Sequence, residues 1–472
     1  MPIAYKSCCV FSSLPGCYAD KIKEIMEDYR SRSNAEKSSF LILVPDIFRG
    51  EMLASQLKGL GPFKIGMRSS VFESDAQFDC VIMVDDEDPS FKQEQMPMYE
   101  TRQVLLMRSY LCGFDIAVVA IAPSVELMAL AREGRVKFID GSKVKGPAAR
   151  LVDLTNYKFV PGLISPAVRD ALQAALKTGQ KGILVLNRRG SYRLTRCVDC
   201  GEILKCSHCD ASLIYSKSEG RFLCRHCTYS VPGDTVCPKC RKYHWRSQGI
   251  GVEQVQAELK KLFPTAKVAA FERPSKNEGK LSLPDFDILI STSAVLRFQA
   301  SLKVQVAAFI DFDAQLNRLD MRSAFNAFSL AQHISAMSHE GVLIQTRHIH
   351  HYVLQSLSSG KVKDFYEEEL SLRKEFGFMP FKHWVKISWR GKQEKALQEH
   401  ASKVYNMLSR SLLEDMTTTP PLADVVGRKR DQFRFNVMLQ AEQVVPAVAL
   451  IRSILTKMRQ PSRAIVTLNV DP

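Results

Sequence analysis

Eight of the thirteen cysteines fall in one 44-residue window as four Cys-x-x-Cys pairs: Cys197/Cys200, Cys206/Cys209, Cys224/Cys227 and Cys237/Cys240. Each pair places two sulfurs on one tight turn, near enough to share a metal. Zinc takes four ligands in a tetrahedron, so two turns close one site and eight cysteines close two. The 14 residues between Cys209 and Cys224 suit a zinc ribbon. A nested arrangement pairs Cys206, Cys209, Cys224 and Cys227 in one site, and Cys197, Cys200, Cys237 and Cys240 in the other. A sequential arrangement, first pair with second and third with fourth, stays open, since spacing alone does not exclude it. Four thiolates leave no vacant position, so both zincs are expected to be structural. His208 and His226 lie in the window and read as surface residues, since every sulfur needed is present. The other five cysteines, Cys8, Cys9, Cys17, Cys80 and Cys112, lack ligand spacing and read as core residues.

The window interrupts an α/β pattern. Apolar runs at Phe40–Val44, Cys80–Val84 and Ile116–Ile121 read as buried strands, with helical stretches at Asp20–Arg30, Arg49–Leu60 and Tyr99–Leu111 between them. The pattern resumes at Gly182–Leu186, is broken by the cysteines, and continues with strands at Lys267–Phe271, Asp287–Ile290, Val306–Ile310 and Val342–Gln345. Helices are expected at Gly251–Phe263 and Met321–Ser338. Continuous apolar strands alternating with helices imply parallel sheets covered on both faces. The expected division is 1–150, then 151–355 carrying an insertion at 193–245, then a third α/β domain at 356–472.

The balance of 46% hydrophobic and 24% charged residues in 472 is that of a globular protein with large cores. No apolar run nears the ~18 residues of a membrane span. The first residues do not read as a secretory signal, so no membrane association and a cytoplasmic location are expected. Clustered Cys-x-x-Cys pairs in such a chain read as metal sites and not disulfides. Lys and Arg exceed Asp and Glu by 15. Residues 181–250 hold 13 Lys/Arg against 5 Asp/Glu. Two zincs on eight thiolates bring the chain to about +11, still basic enough to favour a polyanionic partner over a merely solvated surface.

Asn187-Arg188-Arg189-Gly190, the four cysteine pairs, and Gly249-Ile250-Gly251-Val252-Glu253 closely resemble the PriA family of primosomal replication-restart proteins. The resemblance extends through Leu262-Phe263-Pro264 and Asp320-Met321-Arg322-Ser323-Ala324 to the terminal Asn469-Val470-Asp471-Pro472. Met67-Arg68-Ser69-Ser70-Val71-Phe72 and Phe91-Lys92-Gln93 look like the family's first helicase lobe. The resemblance implies a superfamily 2 DNA helicase architecture: two RecA-like lobes, a two-zinc insertion in the second with nested ligand pairing, and a C-terminal domain. It also implies action at stalled or branched replication forks, with DNA and other primosome proteins as partners.

The motor motifs depart from that family. A phosphate loop should lie at Ser12–Asp20, but Gly-x-x-x-x-Gly-Lys-Ser/Thr is absent and Tyr18 stands at the lysine position, with Ala19 after it. An acidic motif for Mg²⁺ and water is kept in altered form as Asp85-Asp86-Glu87-Asp88. Both arginines of the family's Gln-Val-Ala-Gly-Arg-Ala-Gly-Arg motif are missing from His333–Glu340. Losing an arginine finger alone can cost about 10³–10⁵ in rate. The family's N-terminal DNA-binding domains also have no counterpart. No catalytic residue and no bound ATP or Mg²⁺ are therefore expected. The expected protein is a zinc-bearing, DNA-binding primosome component for forked or single-stranded DNA, without ATPase or helicase activity. The alternatives are an active 3′–5′ helicase with an unorthodox nucleotide site and a zinc-ribbon protein scaffold. Candidate phosphate contacts are Arg188, Arg189, Arg193, Arg196, Lys205, Arg225, Lys239 and Lys242, with Tyr243 and Trp245 as candidate base-stacking groups.

Overall fold

The structure is a computed structural model. It describes all residues except 1–7, 34–37, 74–77, 96–97, 141–147, 157–161, 187–193, 208–211, 217–218, 225–228, 249–250, 272–281, 318–319, 430–431 and 472. Arg188, Arg189, Arg193, His208, Cys209, Arg225, His226 and Cys227 lie outside the described residues. The chain forms two compact units: 1–190 with 251–370, and 191–250 with 371–472.

The first unit contains two six-stranded sheets, which define two lobes, and a short antiparallel pair, Lys92–Gln93 with Tyr99–Glu100. Sheet one holds β1 (Cys8–Ser12), β2 (Phe40–Leu43), β3 (Phe63–Gly66), β4 (Cys80–Val84), β5 (Asp115–Ala120) and β6 (Lys137–Asp140), in the order β3-β2-β4-β5-β1-β6. Sheet two holds β7 (Arg150–Asp153), β8 (Gly182–Val185), β9 (Val268–Phe271), β10 (Ile288–Ser291), β11 (Val306–Phe309) and β12 (Val342–Thr346), in the order β9-β10-β8-β11-β12-β7. Every pairing in both sheets is parallel.

The strand sequences explain why. Successive residues of a strand face opposite sides, and in sheet one both sides are covered. Leu41, Leu43, Val81, Met83, Ile116 and Val118 pack on one face with Leu105 and Leu127. Phe40, Ile42, Val44, Ile82, Val84 and Val119 pack on the other with Ile22, Met26 and Leu53. A strand buried on both sides has no polar alternation, which is why it reads as a solid apolar run.

Two expectations are corrected. Cys17 and Cys112 are exposed, whereas Cys8 and Cys80 are core residues. Cys17 sits in the 3₁₀ turn Pro15–Cys17, and Cys112 is the last residue of helix Thr101–Cys112, capped by left-handed Gly113. Both places face water by geometry. Strands β1, β3, β6 and β7 were not anticipated.

The second unit contains the cysteine insertion and the C-terminal domain. The insertion closes on itself: Leu194–Cys197 pairs antiparallel with Trp245–Gln248, the first and last strands of the loop. A three-stranded sheet of Ile214–Ser216, Arg221–Leu223 and Ser230–Pro232 forms its other half. The C-terminal domain runs strand His383–Gly391, helix Glu394–Ser411, strands Leu422–Lys429 and Gln432–Ala441, helix Val444–Lys457 and strand Ile465–Val470. Helices and strands alternate as expected, but every pairing is antiparallel. This β-α-β-β-α-β order is the split, ferredoxin-like arrangement. Val385, Ile387 and Trp389 alternate into a core with Leu397, Val404, Leu408 and Ile451.

Candidate functional site

The first and fourth cysteine pairs converge. Hairpin Leu194–Cys197/Trp245–Gln248 brings Cys197 opposite Trp245 and so carries the two ends of the insertion together. Cys197 Sγ lies 3.5 Å from Cys240 Sγ, and Cys200 Sγ lies 3.6 Å from Cys237 Sγ. All four sulfurs are within 4.8 Å of one another. Tetrahedral zinc with ~2.3 Å bonds separates its sulfurs by about 3.8 Å, whereas a disulfide needs about 2.05 Å. The cluster has metal-site spacing and not disulfide spacing.

The two outer turns are built alike. Cys197 N–H donates to Glu202 O (2.8 Å) and Gly201 N–H to Cys197 O (3.0 Å). Cys237 N–H donates to Lys242 O (2.7 Å) and Arg241 N–H to Cys237 O (2.9 Å). The residue after the second cysteine is left-handed in both, Gly201 at φ 76° and Arg241 at φ 62°. Burial works against the Cys237 thiolate, but the backbone N–H groups of Cys240 and Lys239, together with the Cys200 and Cys240 thiols, outweigh it and bring its pKa down to about 7. Amides aimed at a sulfur prepare it for a cation. These thiols could hold a metal such as zinc.

Of the inner pairs, Cys206 and Cys224 are buried together with Leu204, Leu213 and Phe222. Cys209 and Cys227 lie outside the described residues. Arg196, Lys205, Lys239 and Lys242 are all exposed, but Lys242 Nζ lies 3.0 Å from Asp199. Tyr243 is exposed, while Trp245 donates from Nε1 to Thr235 O (2.6 Å) and packs edge-on to Phe222.

The acidic motif lies elsewhere, in the first unit. Asp85 follows β4 in a left-handed conformation (φ 52°), at the strand end where open α/β sheets bind ligands. Its carboxylate is fully engaged. Tyr18 O–H donates to one oxygen. Arg49 Nη1 (2.9 Å) and Gln299 Nε2 (3.2 Å) donate to the other. Tyr18 also accepts from Ile121 N–H at 3.1 Å. Arg49 further reaches Asp88 (3.1 Å) and Asp46 (3.2 Å). Asp86 is held by Arg102 (3.0 Å) and by Ser124 N–H (3.3 Å). Burial nonetheless pushes the Asp86 carboxyl above its usual range, against the pull of Arg102.

Glu87 differs from its neighbours: among the described residues, no Lys or Arg side chain pairs with it. Oε1 lies 3.2 Å from His333 Nε2 and 3.4 Å from Ser329 Oγ, both on helix Ser323–Ala336 of the second lobe. Oε2 is buried and has no hydrogen-bond partner among the described residues. Burial first, and then the charges of Asp85 and Asp86, push the Glu87 carboxyl well above its usual range. His333 is held down by burial, and its Nδ1 lies 2.7 Å from Gln299 Oε1. Asp85, Glu87 and His333 place three atoms of ligand type within 4.8 Å. With Tyr18, Arg49 and Gln299 already on Asp85, that trio is better described as a hydrogen-bonded cluster than as a cation site. No arginine occurs between Ser323 and Glu340, and the groups this segment sends to the acids are His333 and Ser329.

Sequence reasoning missed Arg49, Arg102 and Gln299. A sequence signal existed for Arg49: a cation among Ile47, Phe48, Met52 and Leu53, one turn after the helix cap Asp46. Gln299 carried none.

Two parallel-sheet lobes with a strand-end acidic motif between them, and a thiol-rich insertion in the chain, are the features on which a functional reading rests. The chain is similar over most of its length to proteins named Replication restart protein PriA. With that of Bacillus subtilis it shares 25% identity over 431 residues, 86% of this chain and 53% of the relative. With that of Haemophilus influenzae it shares 25% over 432 residues, 88% of this chain and 59% of the relative. The chain thus spans between about half and two thirds of the curated relatives it matches. No family model matches it. Among solved structures, the Escherichia coli DEAH/RHA helicase HrpB matches loosely, with a TM-score of 0.37 at 9% identity, over 73% of this chain and 40% of that one. No helix among the described residues is long and apolar enough to cross a membrane.

Proposed function

We propose that this chain is a PriA-like replication-restart component that binds forked or single-stranded DNA and works without an ATP motor. Two structural Zn²⁺ ions stabilise its insertion, in nested pairing, and it joins other primosome proteins in the cytoplasm. The observation that carries the reading is Tyr18. Its ring occupies the position of the phosphate-loop lysine, and its hydroxyl is spent on Asp85 and the Ile121 amide. A buried phenol there offers phosphate no positive charge, and Arg49 already neutralises Asp85. The convergence of the first and fourth cysteine pairs supports nested pairing. The similarity to PriA supports the DNA and primosome partners. Arg196, Lys205 and Lys239 are the exposed candidates for phosphate contact; Lys242 is partly neutralised by Asp199. Such contacts are salt-dependent and indifferent to sequence.

The deciding experiment measures ATP hydrolysis with single-stranded and forked DNA, alongside fork binding at low salt. Fork binding without DNA-stimulated turnover is expected. Robust turnover abolished by changing Asp85 and Glu87 would establish an unorthodox helicase instead. Partner binding without any DNA binding would establish a protein scaffold.

A further inference from the structure

We propose that Glu87 and His333 share one proton across the cleft between the two lobes, and that the chain Glu87–His333–Gln299–Asp85 is a latch that closes the lobes without nucleotide and releases as pH rises. The geometry is continuous. Glu87 Oε1 meets His333 Nε2 at 3.2 Å, His333 Nδ1 meets Gln299 Oε1 at 2.7 Å, and Gln299 Nε2 meets Asp85 Oδ2 at 3.2 Å. One assignment satisfies every link. A protonated Glu87 donates to Nε2, Nδ1–H donates to the glutamine carbonyl, and the glutamine amide donates to the aspartate. Glu87 and Asp85 belong to the first lobe, His333 and Gln299 to the second. Phe48 against Phe298 (5.2 Å) and Arg322 near Glu100 (3.7 Å) bridge the same lobes.

Burial weighs against the charged pair, outweighing the pull of Asp85 and Asp88 toward a charged His333. Asp85, Asp86 and Asp88 crowd Glu87 from its own lobe, and their cations Arg49 and Arg102 are committed to them. Tyr18 bonds Asp85, and buried Tyr366 adds no cation. From the second lobe Glu87 meets only Ser329 and His333 among its hydrogen-bond partners. Burial raises the Glu87 carboxyl and lowers His333, so both are neutral when the lobes are closed.

The pH dependence follows from counting protons. The closed couple holds one. Opened to water, glutamate titrates near pH ~4.3 and histidine near ~6.5. The open pair holds two protons below that window, one within it and none above it. Closure is therefore flat between about pH 4.3 and 6.5 and weakens on either side by about tenfold per pH unit.

The test is amide hydrogen exchange on the full chain, corrected for intrinsic rates, under conditions where exchange follows the opening equilibrium. Peptides covering Asp85–Asp88 and Asn326–Met337 report the two sides of the contact. Wild type should hold constant protection from pH 5 to 6.5 and lose about tenfold per unit above pH 7, on both sides together. The isosteric Glu87→Gln variant keeps a donor to Nε2 but has no proton to lose. It should be flat above pH 7 and open below about 6.5, where free histidine charges. The proposal is overturned if wild-type protection is unchanged between pH 6.5 and 8.5, if Glu87→Gln keeps the wild-type alkaline limb, or if only one peptide responds. Protection that requires Mn²⁺ and is reversed by chelation would likewise overturn it, in favour of a bridging cation.

Discussion

Replacing Arg49 tests the acidic cluster most directly. Its guanidinium is buried and touches three carboxylates, Asp85 at 2.9 Å, Asp88 at 3.1 Å and Asp46 at 3.2 Å. Asp85 is 1% exposed and has no other cationic side chain among its hydrogen-bond partners. Arg49→Met keeps the length and removes the charge. A buried pair broken on one side costs about 3–5 kcal/mol, because the surviving ion is stranded. Asp85→Asn keeps the shape and leaves Arg49 with Asp88 and Asp46, so about 1–3 kcal/mol is expected. The double variant removes both charges and should cost less than the sum by about 2 kcal/mol. Urea unfolding followed by far-UV circular dichroism measures each. The three tryptophans, Trp245, Trp384 and Trp389, all lie in the second unit, so tryptophan fluorescence serves as an internal control whose midpoint should stay put. A cost below about 1 kcal/mol for Arg49→Met, or additivity within about 0.5 kcal/mol, would show that Asp85 does not depend on Arg49.

Three further outcomes are expected. Metal analysis should find two zincs per chain, with Cys237→Ser and Cys206→Ser each losing one; a wild-type content of one or none refutes the two-site reading. Each site's metal is local folding energy, so Cys237→Ser should also shift the Trp245 signal, which sits opposite Cys197 in the hairpin. Arg196→Ala and Lys239→Ala should weaken fork binding alike for all sequences and each reduce the slope of log affinity against log salt by about 1; an unchanged slope removes that residue from the interface. In the C-terminal domain, buried Trp389 donates to His400 Nδ1 at 3.0 Å, and burial lowers the His400 pKa. The unfolded histidine takes its proton near pH ~6.5 and the folded one does not, so fluorescence-monitored stability should be constant above that pH and fall below it. His400→Gln should flatten the profile, and an unflattened one excludes His400 as the cause.

The sequence was most legible where one residue type carries its own chemistry. Four Cys-x-x-Cys turns announce themselves, and the runs at β2, β4, β8 and β11 are apolar enough to be read as doubly covered strands. β3 and β7 escaped because Phe63-Lys64-Ile65-Gly66 and Arg150-Leu151-Val152-Asp153 are edge strands with polar positions, too short to show a period. The direction of the C-terminal sheet was present but subtle. Val385, Ile387 and Trp389 alternate with Lys386, Ser388 and Arg390, the mark of a strand covered on one side only. The acidic cluster was legible only as four acids after a strand. Its partners come from 36 residues upstream at Arg49 and 214 residues downstream at Gln299, and no local pattern encodes that meeting.

Those partners explain how the acids are accommodated in a buried cleft. A carboxylate at the end of a buried parallel strand has lost its water, and something must carry its charge or keep it protonated. In a nucleotide-hydrolysing lobe, metal and bound phosphate enter that balance. Here the balance closes within the chain: Arg49 for Asp85 and Asp88, Arg102 for Asp86, and a shared proton for Glu87. Tyr18 contributes by donating to Asp85 where a lysine would project toward phosphate. A lysine introduced at position 18 would therefore meet an acid already neutralised, beside Arg49, and would add repulsion before it added catalysis. The Tyr18, Arg49 and Arg102 contacts are thus parts of one electrostatic arrangement, and a change at position 18 alone should disturb it without creating a phosphate site.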